Sequence, residues 1–528
     1  MSALTTPFMM PRVEEVIPNN SLLKDRVTAS SVVEERYTAT QTPSSGDSYG
    51  VGGSATKLMI IRVANQNDYI DTSTMVLNFK VQALAAGDAT VSATTLGLSV
   101  DDHIFSLVDT INVKIGGQTV EVLNNVGHLM NGLVQASMPL NYYKQNGGFE
   151  GLYVYDKFVD ISGGAASITP DLVNSVALQN RWNIGNQWLA NGRYYSVPLT
   201  LLGLCRIPTL FAARNFQDIT LEFLFKNSVN AACWAKNPPT ANSYGNTATN
   251  YIKVSDVTLS YDCCRMSADY YALMDNELKM PNGSGVAYSI DTYQVQPASI
   301  SPGSATSAPT NAVPCAAPTL TRIVVAKGTR FLKSVYGLTQ PTIAESSPQW
   351  RNNSQHGNFG FGSYQVVINS KRYPQLQIQS SAQAFQELQK AYNQLGSVAA
   401  GNLLNWFNYI GHPYDRLNNT SMPTNRFRQD AVATSTKDGS TLGMFAGDEA
   451  MFQVGVNLEQ FLTNQPDAGG INTSTSGYQI AIEIAHSAQA AVETVVTGAT
   501  TAQALTHFVI LHFTRVLTLK AGAVEILD

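Results

Sequence analysis

Short runs of apolar residues recur along the whole chain, and many of them alternate with polar residues. In residues 219–225 (ITLEFLF) and 480–484 (IAIEI) large apolar residues occupy every second position. This is the period of a strand that buries one of its faces. The runs are separated by connections rich in glycine, proline, asparagine and serine, which favour turns. The pattern predicts short antiparallel strands packed as a β-sandwich.

One arrangement of such runs occurs twice. Residues 111–136 and 364–391 each contain a strand-like run, a tight turn, a second strand and a helix-like segment. Gly-Gly at 116–117 supplies the positive φ angles of a two-residue hairpin loop. In the second copy, Asn-Ser-Lys at 369–371 predicts a slightly longer polar turn, and Ser381 is the predicted N-cap of the helix that follows.

Three further pairs of blocks have similar patterns in the two halves of the chain. Like the hairpin units, they are offset by roughly 250–260 residues and keep their order, which chance similarity rarely produces. The pairs are 194–199 with 451–456, 216–225 with 478–486, and 254–262 with 507–515. The sequence therefore predicts a duplicated domain.

The two halves are predicted to join near residues 275–283, where Pro281-Asn282-Gly283 ends a helix-like stretch. Residues 296–318 are rich in proline, alanine and serine and are predicted to form a long surface loop. Two other long connections, 137–190 and 396–447, follow the helix-like segment of each half. Connections of this length in a compact domain usually carry contacts or function.

Several of these blocks together resemble double jelly-roll major capsid proteins of double-stranded DNA viruses, in the virophage, polinton-type and adenovirus-like lineage. Each block is a soft hydrophobic pattern, whereas their order along nearly the whole chain is specific. The blocks that resemble the first jelly roll are 67–81 (NDYIDTSTMVLNFKV), 103–121 (HIFSLVDTINVKIGGQTVE) and 254–278, and those that resemble the second are 367–388 (VINSKRYPQLQIQSSAQAFQEL), 451–484 and 508–527.

The resemblance implies an all-β chain of two tandem eight-stranded antiparallel jelly rolls with short helices and long loops. It divides the chain into an N-terminal arm (1–34), a first jelly roll (35–278) and a second jelly roll (279–528). It further implies a non-enzymatic major capsid protein that assembles as homotrimers into pseudo-hexameric capsomers of an icosahedral virion shell. The expected partners are neighbouring capsomers and the penton and minor capsid proteins, the latter through the arm. A doubled domain allows three chains to imitate six, so that a threefold ring fits a hexagonal lattice.

Charge and cysteine usage agree with this picture. The chain has 33 Lys and Arg against 38 Asp and Glu, a net charge of −5, without a basic cluster. Sequence-specific nucleic-acid binding is therefore not expected. The five cysteines lack metal-type spacing, and Cys263 and Cys264 are adjacent, so an ordinary disulfide between them is excluded. We expect reduced thiols and folding inside the host cell, without a signal peptide or a membrane span.

Two catalytic sequence motifs are matched by their residues, but the segments around them do not have the structure that catalysis requires. Residues 46–50 (GDSYG) match a nucleophile elbow but lack the helix that should follow it. Residues 54–57 (SATK) match an S-x-x-K motif but run into a strand-like segment, KLMIIRV, and no K-T-G motif accompanies them. His507 and His512 are an odd number of positions apart on a predicted strand, so they face opposite sides and cannot share a metal ion. His128 is predicted to be packed or to act as a cap. The sequence thus predicts no catalytic, cofactor-binding or metal-binding residue.

Two alternatives remain open at this stage. A carbohydrate-binding β-sandwich protein predicts a signal sequence, paired cysteines and a cluster of aromatic residues or a calcium site, and none of these is visible in the sequence. A jelly-roll hydrolase predicts converging carboxylates or a metal triad. Residues 1–34 are either an arm that becomes ordered against a neighbour or a frayed tail.

Overall fold

The computed structural model describes the chain in segments. The described residues are 33–53, 55–63, 68–90, 98–100, 103–152, 191–216, 218–235, 251–279, 286–300, 320–342, 356, 361–392, 404, 409, 436–437, 440–441, 452–459, 470–474, 478–486, 505–520 and 523–527.

The first half of the chain forms two antiparallel sheets that pack face to face. Its strands are β1 (Val33–Gln41), β2 (Ser48–Val51), β3 (Leu58–Val63), β4 (Tyr69–Leu84), β5 (Leu98–Val100), β6 (Val108–Ile115), β7 (Gln118–Asn124), β8 (Arg193–Pro198), β9 (Ile219–Phe225), β10 (Cys233–Ala235) and β11 (Tyr251–Met266). One sheet has the order β1-β11-β4-β8, with β2 also paired to β11, and the other has the order β3-β9-β6-β7. Strands β5 and β10 form a separate two-stranded pair.

The second half repeats this arrangement. Its strands are β12 (Val286–Ile300), β13 (Leu320–Val325), β14 (Phe331–Pro341), β15 (Phe361–Ile368), β16 (Lys371–Ile378), β17 (Thr436–Lys437), β18 (Ser440–Thr441), β19 (Gln453–Asn457), β20 (Ile480–His486), β21 (Leu505–Lys520) and β22 (Ala523–Leu527). The two main sheets have the orders β12-β21-β14-β19 and β13-β20-β15-β16. Strand β22 extends the first of these sheets by pairing with β21, and β17 pairs with β18.

Both halves have the connectivity of a jelly roll. When the eight principal strands of each described half are counted in chain order, one sheet is always 1-8-3-6 and the other is 2-7-4-5. Two interlocked Greek keys produce this order. All four pairs of sequence blocks fall on matching strands, namely β6–β7 with β15–β16, β8 with β19, β9 with β20, and β11 with β21. The predicted fold of two tandem antiparallel jelly rolls is confirmed.

The two matching hairpins have turns of the same length. Gly116 (φ 59°) and Gly117 (φ 79°) form the predicted two-residue turn with both residues in the left-handed region. Asn369 (φ 46°) and Ser370 (φ 67°) adopt the same conformation, and Ile368 pairs directly with Lys371. The prediction of a longer second turn was wrong, because asparagine tolerates the left-handed region and the strand pairing holds Ser370 in it.

The α-helices are short and lie beside the sheets. They are α1 (Val126–His128), α2 (Gln135–Ser137), α3 (Leu140–Glu150), α4 (Val229–Ala232), α5 (Ala268–Lys279) and α6 (Ser381–Ala391), and a π-helical stretch, Leu129–Val134, joins α1 to α2. Ser380, not the predicted Ser381, is the N-cap of α6, because its side chain accepts the N–H of Gln383. The amphipathic face of α6 packs against β19.

Apolar side chains from both sheets of each jelly roll fill the core. On β9 the alternating residues Ile219, Leu221 and Phe223 are fully buried, as their period predicts. Most of the described buried apolar residues, from both jelly rolls, belong to one continuous cluster, and Tyr143 and Leu152 form a second, small one. Apolar packing therefore continues from the first jelly roll into the second.

Several predicted boundaries require correction or lie outside the described residues. Strand β1 begins at Val33, so Val33 and Glu34 belong to the first sheet and not to the arm. The predicted loop 296–318 starts too early, because residues 296–300 complete β12. The connection 137–190 contains α3. The rest of the arm, of these loops and most of 396–447 lie outside the described residues, and the domain boundary at 278/279 stays a prediction.

Candidate functional site: the junction between the jelly rolls

The two jelly rolls meet along β12, the edge strand of the second one. Strand β7 and the segment 199–213 of the first jelly roll contact this strand. Beside them, the helical segment 126–137 packs on β14 and β21, where Gly132 lies against Leu338 and His128 against Phe508. The two jelly rolls therefore share a buried contact surface.

Glu121 lies at the centre of this junction. Val120 and Glu121 are both fully buried, at a point where the pairing of β7 with β6 is irregular. Both carboxylate oxygens of Glu121 accept the backbone N–H of Gly203 at 3.0 Å, and Oε1 also accepts the hydroxyl of Thr292 on β12 at 2.6 Å. Burial raises the pKa of Glu121, while these two hydrogen bonds oppose the increase.

Arg206 provides a second polar contact across the junction. Its Nη2 donates to the carbonyl oxygen of Asp291 at 2.6 Å, and its Nη1 donates to the hydroxyl of Tyr293 at 3.3 Å. The guanidinium also lies over the Tyr293 ring, 5.1 Å from its centroid. A third contact is the N–H of Ala212, which donates to the hydroxyl of Tyr288 at 2.8 Å. All three contacts hold β12 against the segment 199–213.

The carboxylate of Asp291 organises the β12 side of the junction. It accepts hydrogen bonds from the ammonium group of Lys333 at 2.7 Å and from the hydroxyl of Thr514 at 2.5 Å. Burial favours a higher pKa for Asp291, but His512 and Lys333 outweigh it and hold the pKa below its ordinary value. Burial lowers the pKa of His512 to about 3, although the Asp291 carboxylate acts in the opposite direction.

A pair of buried histidines lies where the helical segment 126–137 meets the second jelly roll. Nδ1 of His128 is 3.4 Å from Nε2 of His356, and the His128 ring stacks on Phe508 with 4.0 Å between centroids. Burial lowers the pKa of His128 far below its ordinary value, and lowers that of His356 to about 3. Both rings are therefore neutral in the folded protein, and His128 is packed, as predicted.

These lowered pKa values predict that acid weakens the junction. Between pH 6.5 and 5 the unfolded chain binds protons at His128 and His356 that the folded chain does not bind. The free energy of unfolding should therefore fall as the pH drops, with a slope approaching about 1.4 kcal/mol per pH unit for each histidine. Glu121, whose pKa is raised by burial, contributes in the opposite direction as the pH drops.

The variant His128→Phe isolates this contribution, because it keeps a ring on Phe508 but removes one titrating group. Denaturant unfolding at several pH values should show a slope smaller by about one proton than in the wild type. Phe508→Leu is the matched control, since it disturbs the same stack without changing the number of titrating groups. An unchanged slope in His128→Phe would contradict the assignment.

The residues that the sequence suggested as chemical candidates do not come together. Ser48 of the 46–50 motif is the first residue of β2, and strand β3 follows it, without the helix that a nucleophile elbow needs. His507 and His512 point to opposite faces of β21, as predicted. Nδ1 of His507 is 2.8 Å from the hydroxyl of Thr339, and Nδ1 of His512 is 3.2 Å from that of Ser334.

The polar residues of the junction were not singled out from the sequence. Glu121 occupies a single acidic position within the apolar run VEVL, and Asp291 lies in the strand-like run SIDTY. An acidic residue within an apolar strand is the signal that could have indicated them, because a buried carboxylate needs partners. The partners themselves are distant in sequence, since Thr292 lies 171 residues after Glu121.

The described cysteine, histidine and acidic residues do not form a metal site. Cys205, Cys233, Cys263 and Cys264 are buried, and Cys315 lies outside the described residues. In the segments that the structure describes, no three His, Cys, Asp or Glu side chains lie close enough together to hold a metal ion. Within these segments, no helix has the length and apolar character to cross a membrane.

Sequence comparison identifies no relative, whereas structural comparison does. No protein-family model and no curated protein sequence matches the chain. A chain in the 3.5 Å cryo-EM structure of the Sputnik virophage superposes with a TM-score of 0.54 and 10% identity, covering 100% of this chain and 92% of that one. The chain is thus comparable in length and architecture along its entire described course.

Two other solved structures have similar coverage but lower scores. The major capsid protein of mavirus has a TM-score of 0.47 and 9% identity over 98% of this chain and 96% of its own. PBCV-1 VP54, fitted into a reconstruction of Sputnik, has a TM-score of 0.48 and 12% identity over 95% of this chain and 98% of its own. Together with the strand order, the superposition on the Sputnik chain shows that this chain has a double jelly-roll fold, as the sequence resemblance implied.

Proposed function

We propose that this chain is a major capsid protein, a non-enzymatic building block that assembles as homotrimers into the shell of an icosahedral virion. The observation that carries the proposal is the full-length double jelly-roll fold, which matches a chain of the Sputnik virophage particle over 100% of this chain. Fold alone does not define function, so the buried junction is the feature of this chain that supports the assignment.

The junction supports a shell-building role for a geometric reason. A closed ring of three chains presents six similar jelly rolls only if the angle between the two jelly rolls of each chain is fixed. In this chain the buried Glu121 and His128 side chains, together with the exposed Arg206, fix that angle through contacts across the junction. A flexible linker would leave the angle undefined, and the ring would lose its pseudo-sixfold shape.

The jelly roll itself also suits a crowded assembly. Its two sheets pair most strand edges internally, which limits unwanted strand addition between many neighbouring copies. Neighbouring capsomers, penton proteins and minor capsid proteins are the partners that this function requires. Residues 1–32, which precede β1, are proposed as the arm that reaches the minor capsid proteins.

Size-exclusion chromatography with light scattering tests the proposal. We expect a stable species with three times the chain mass of 57.0 kDa. Negative-stain electron microscopy of the same fraction should show particles with a hexagonal outline, and concentrated samples should form hexagonal arrays or shells. A monomer that binds glycans on an array would instead support the carbohydrate-binding alternative and overturn the capsid assignment.

A further inference from the structure

The contact between the jelly rolls within one chain provides a template for a contact between chains. Inside the chain, the second strand of the β6–β7 hairpin docks against β12, the edge strand of the next jelly roll. The two jelly rolls have the same strand order, so each of these two surfaces has a counterpart. The counterpart of β7 is β16, and the counterpart of β12 is β1.

Both counterparts are edge strands of their sheets within the described part of the chain. Strand β1 ends its sheet and pairs only with β11, and β16 ends its sheet and pairs only with β15. Strand β16 is largely exposed along its length, and Leu376 on it has 86% of its surface exposed, more than any other large apolar residue described. Isolated exposed leucines are common, but this one lies on the strand whose equivalent in the first jelly roll is buried at a junction.

The charges of the two counterpart surfaces are complementary. Lys371 and Arg372 are exposed at the start of β16, and neither forms an ion pair with any residue that the structure describes. Strand β1 presents exposed Glu34 and Glu35, and Glu34 likewise has no ion pair among the described residues. Opposite charges on two surfaces favour their association and fix its register.

The surroundings of β1 strengthen its acidic character. Arg36 is shared between the carboxylates of Asp71 at 3.0 Å and Asp262 at 2.9 Å, and Arg265 pairs with Glu35 at 2.9 Å. In this group carboxylates outnumber guanidinium groups. The carboxylates are those of Glu34, Glu35, Asp71 and Asp262, and the guanidinium groups are those of Arg36 and Arg265. The edge around β1 thus has a negative excess that the two cations of β16 match.

We propose that the β15–β16 hairpin of one copy docks against β1 of a second copy, with Lys371 and Arg372 facing Glu34 and Glu35. The proposal rests on the capsid function, because it names the surface through which the homotrimer closes. Three such contacts alternate with the three junctions within the chains, so each jelly roll of the ring contacts the next in one way. Docking covers Leu376 and removes the exposed edge of β1.

Charge reversal followed by charge exchange tests this contact. The double variants K371E/R372E and E34K/E35K should each dissociate the trimer, raising the protein concentration at half-assembly by roughly ten-fold or more. Combining all four substitutions restores opposite charges and should return assembly close to that of the wild type. Light scattering over a dilution series at low salt measures the effect, and added salt should reduce the difference between variants.

The matched control reverses two other exposed cations, R62E/R330E, and should assemble as the wild type does. All substituted side chains are exposed, so far-UV circular dichroism and the thermal transition of each variant should show an intact fold. If the wild type itself is monomeric, the proposed capsid function fails. If the wild type is trimeric and neither double variant weakens it, the contact is wrong while the function stands. Loss of assembly in E34K/E35K without rescue would place another partner, such as residues 1–32, on β1 and would also overturn the contact.

Discussion

Replacing Glu121 with alanine is expected to lower the free energy of unfolding by about 3 kcal/mol or more. The carboxylate is fully buried and accepts the Gly203 N–H and the Thr292 hydroxyl, which belong to different jelly rolls. Alanine leaves both donors buried without an acceptor, and each such donor costs about 1–3 kcal/mol. It also leaves a space where the carboxylate was, so the substitution weakens the junction from both of its sides.

Thermal unfolding followed by circular dichroism measures this loss. It corresponds to a decrease of roughly 6–12 °C in the melting temperature of a domain of about 250 residues. Glu222→Ala is a suitable control, because Glu222 pairs with Lys114 on a more accessible sheet surface and should contribute about 1 kcal/mol or less. Glu121→Gln retains one acceptor oxygen, but its amide N–H groups face the N–H and O–H donors of the junction. We therefore expect a loss of stability between that of the wild type (none) and that of Glu121→Ala. A Glu121→Ala protein that melts with the wild type would show that the carboxylate does not support the junction.

The sequence predicted those parts of the fold that depend on local pattern. Alternation identified β9 and β20, because a strand with one buried face repeats every two residues. The order of matching blocks predicted the duplication, since equivalent strands keep their spacing when a domain is copied. The Gly-Gly pair at 116–117 predicted the first hairpin turn, and the structure shows both residues at positive φ.

Predictions of local detail were wrong where two local conformations of the same sequence are nearly equal in energy. Ser380 and Ser381 are adjacent and both can cap a helix, and the end of β16 at Ile378 determines that Ser380 does so. The second hairpin turn has no glycine, so its residues did not indicate the left-handed conformation that Asn369 and Ser370 adopt. In both cases the local conformation depends on a contact in the folded protein, and a short window of sequence does not contain that contact.

The junction could not be predicted from the sequence for a related reason. Its contacts join residues far apart in the chain, such as Arg206 with Asp291 and His128 with Phe508. The period of the apolar residues predicts which face of a strand is buried, but it does not predict which other element covers that face. Glu121 is polar at a buried position, which alternation alone would have assigned to an exposed face. Its burial follows from the second jelly roll, whose position depends on the complete fold.

Gly203→Ala should separate the jelly rolls by a different mechanism, namely overpacking. A Cβ atom on Gly203 would lie 2.2 Å from the carbonyl oxygen of Asp291 and 2.6 Å from Cγ2 of Ile290. The first of these contacts is with backbone, which cannot rotate away as a side chain can. Because β12 is paired to β21 along its whole length, relief requires the strand and its jelly roll to move. We expect a loss of about 3 kcal/mol or more in the free energy of unfolding.

Differential scanning calorimetry and light scattering together distinguish this result from general destabilisation. Forcing the jelly rolls apart should split the thermal transition into two and dissociate the trimer, because the angle between the jelly rolls is no longer fixed. Gly148→Ala in α3 is the matched control, since its Cβ would meet only the flexible Arg193 side chain at 3.3 Å and alanine favours helix by about 1 kcal/mol. The control should therefore melt at or above the wild-type temperature. A Gly203→Ala protein that unfolds in one transition at the wild-type temperature, and still forms trimers, would mean that the junction does not determine the geometry of the ring.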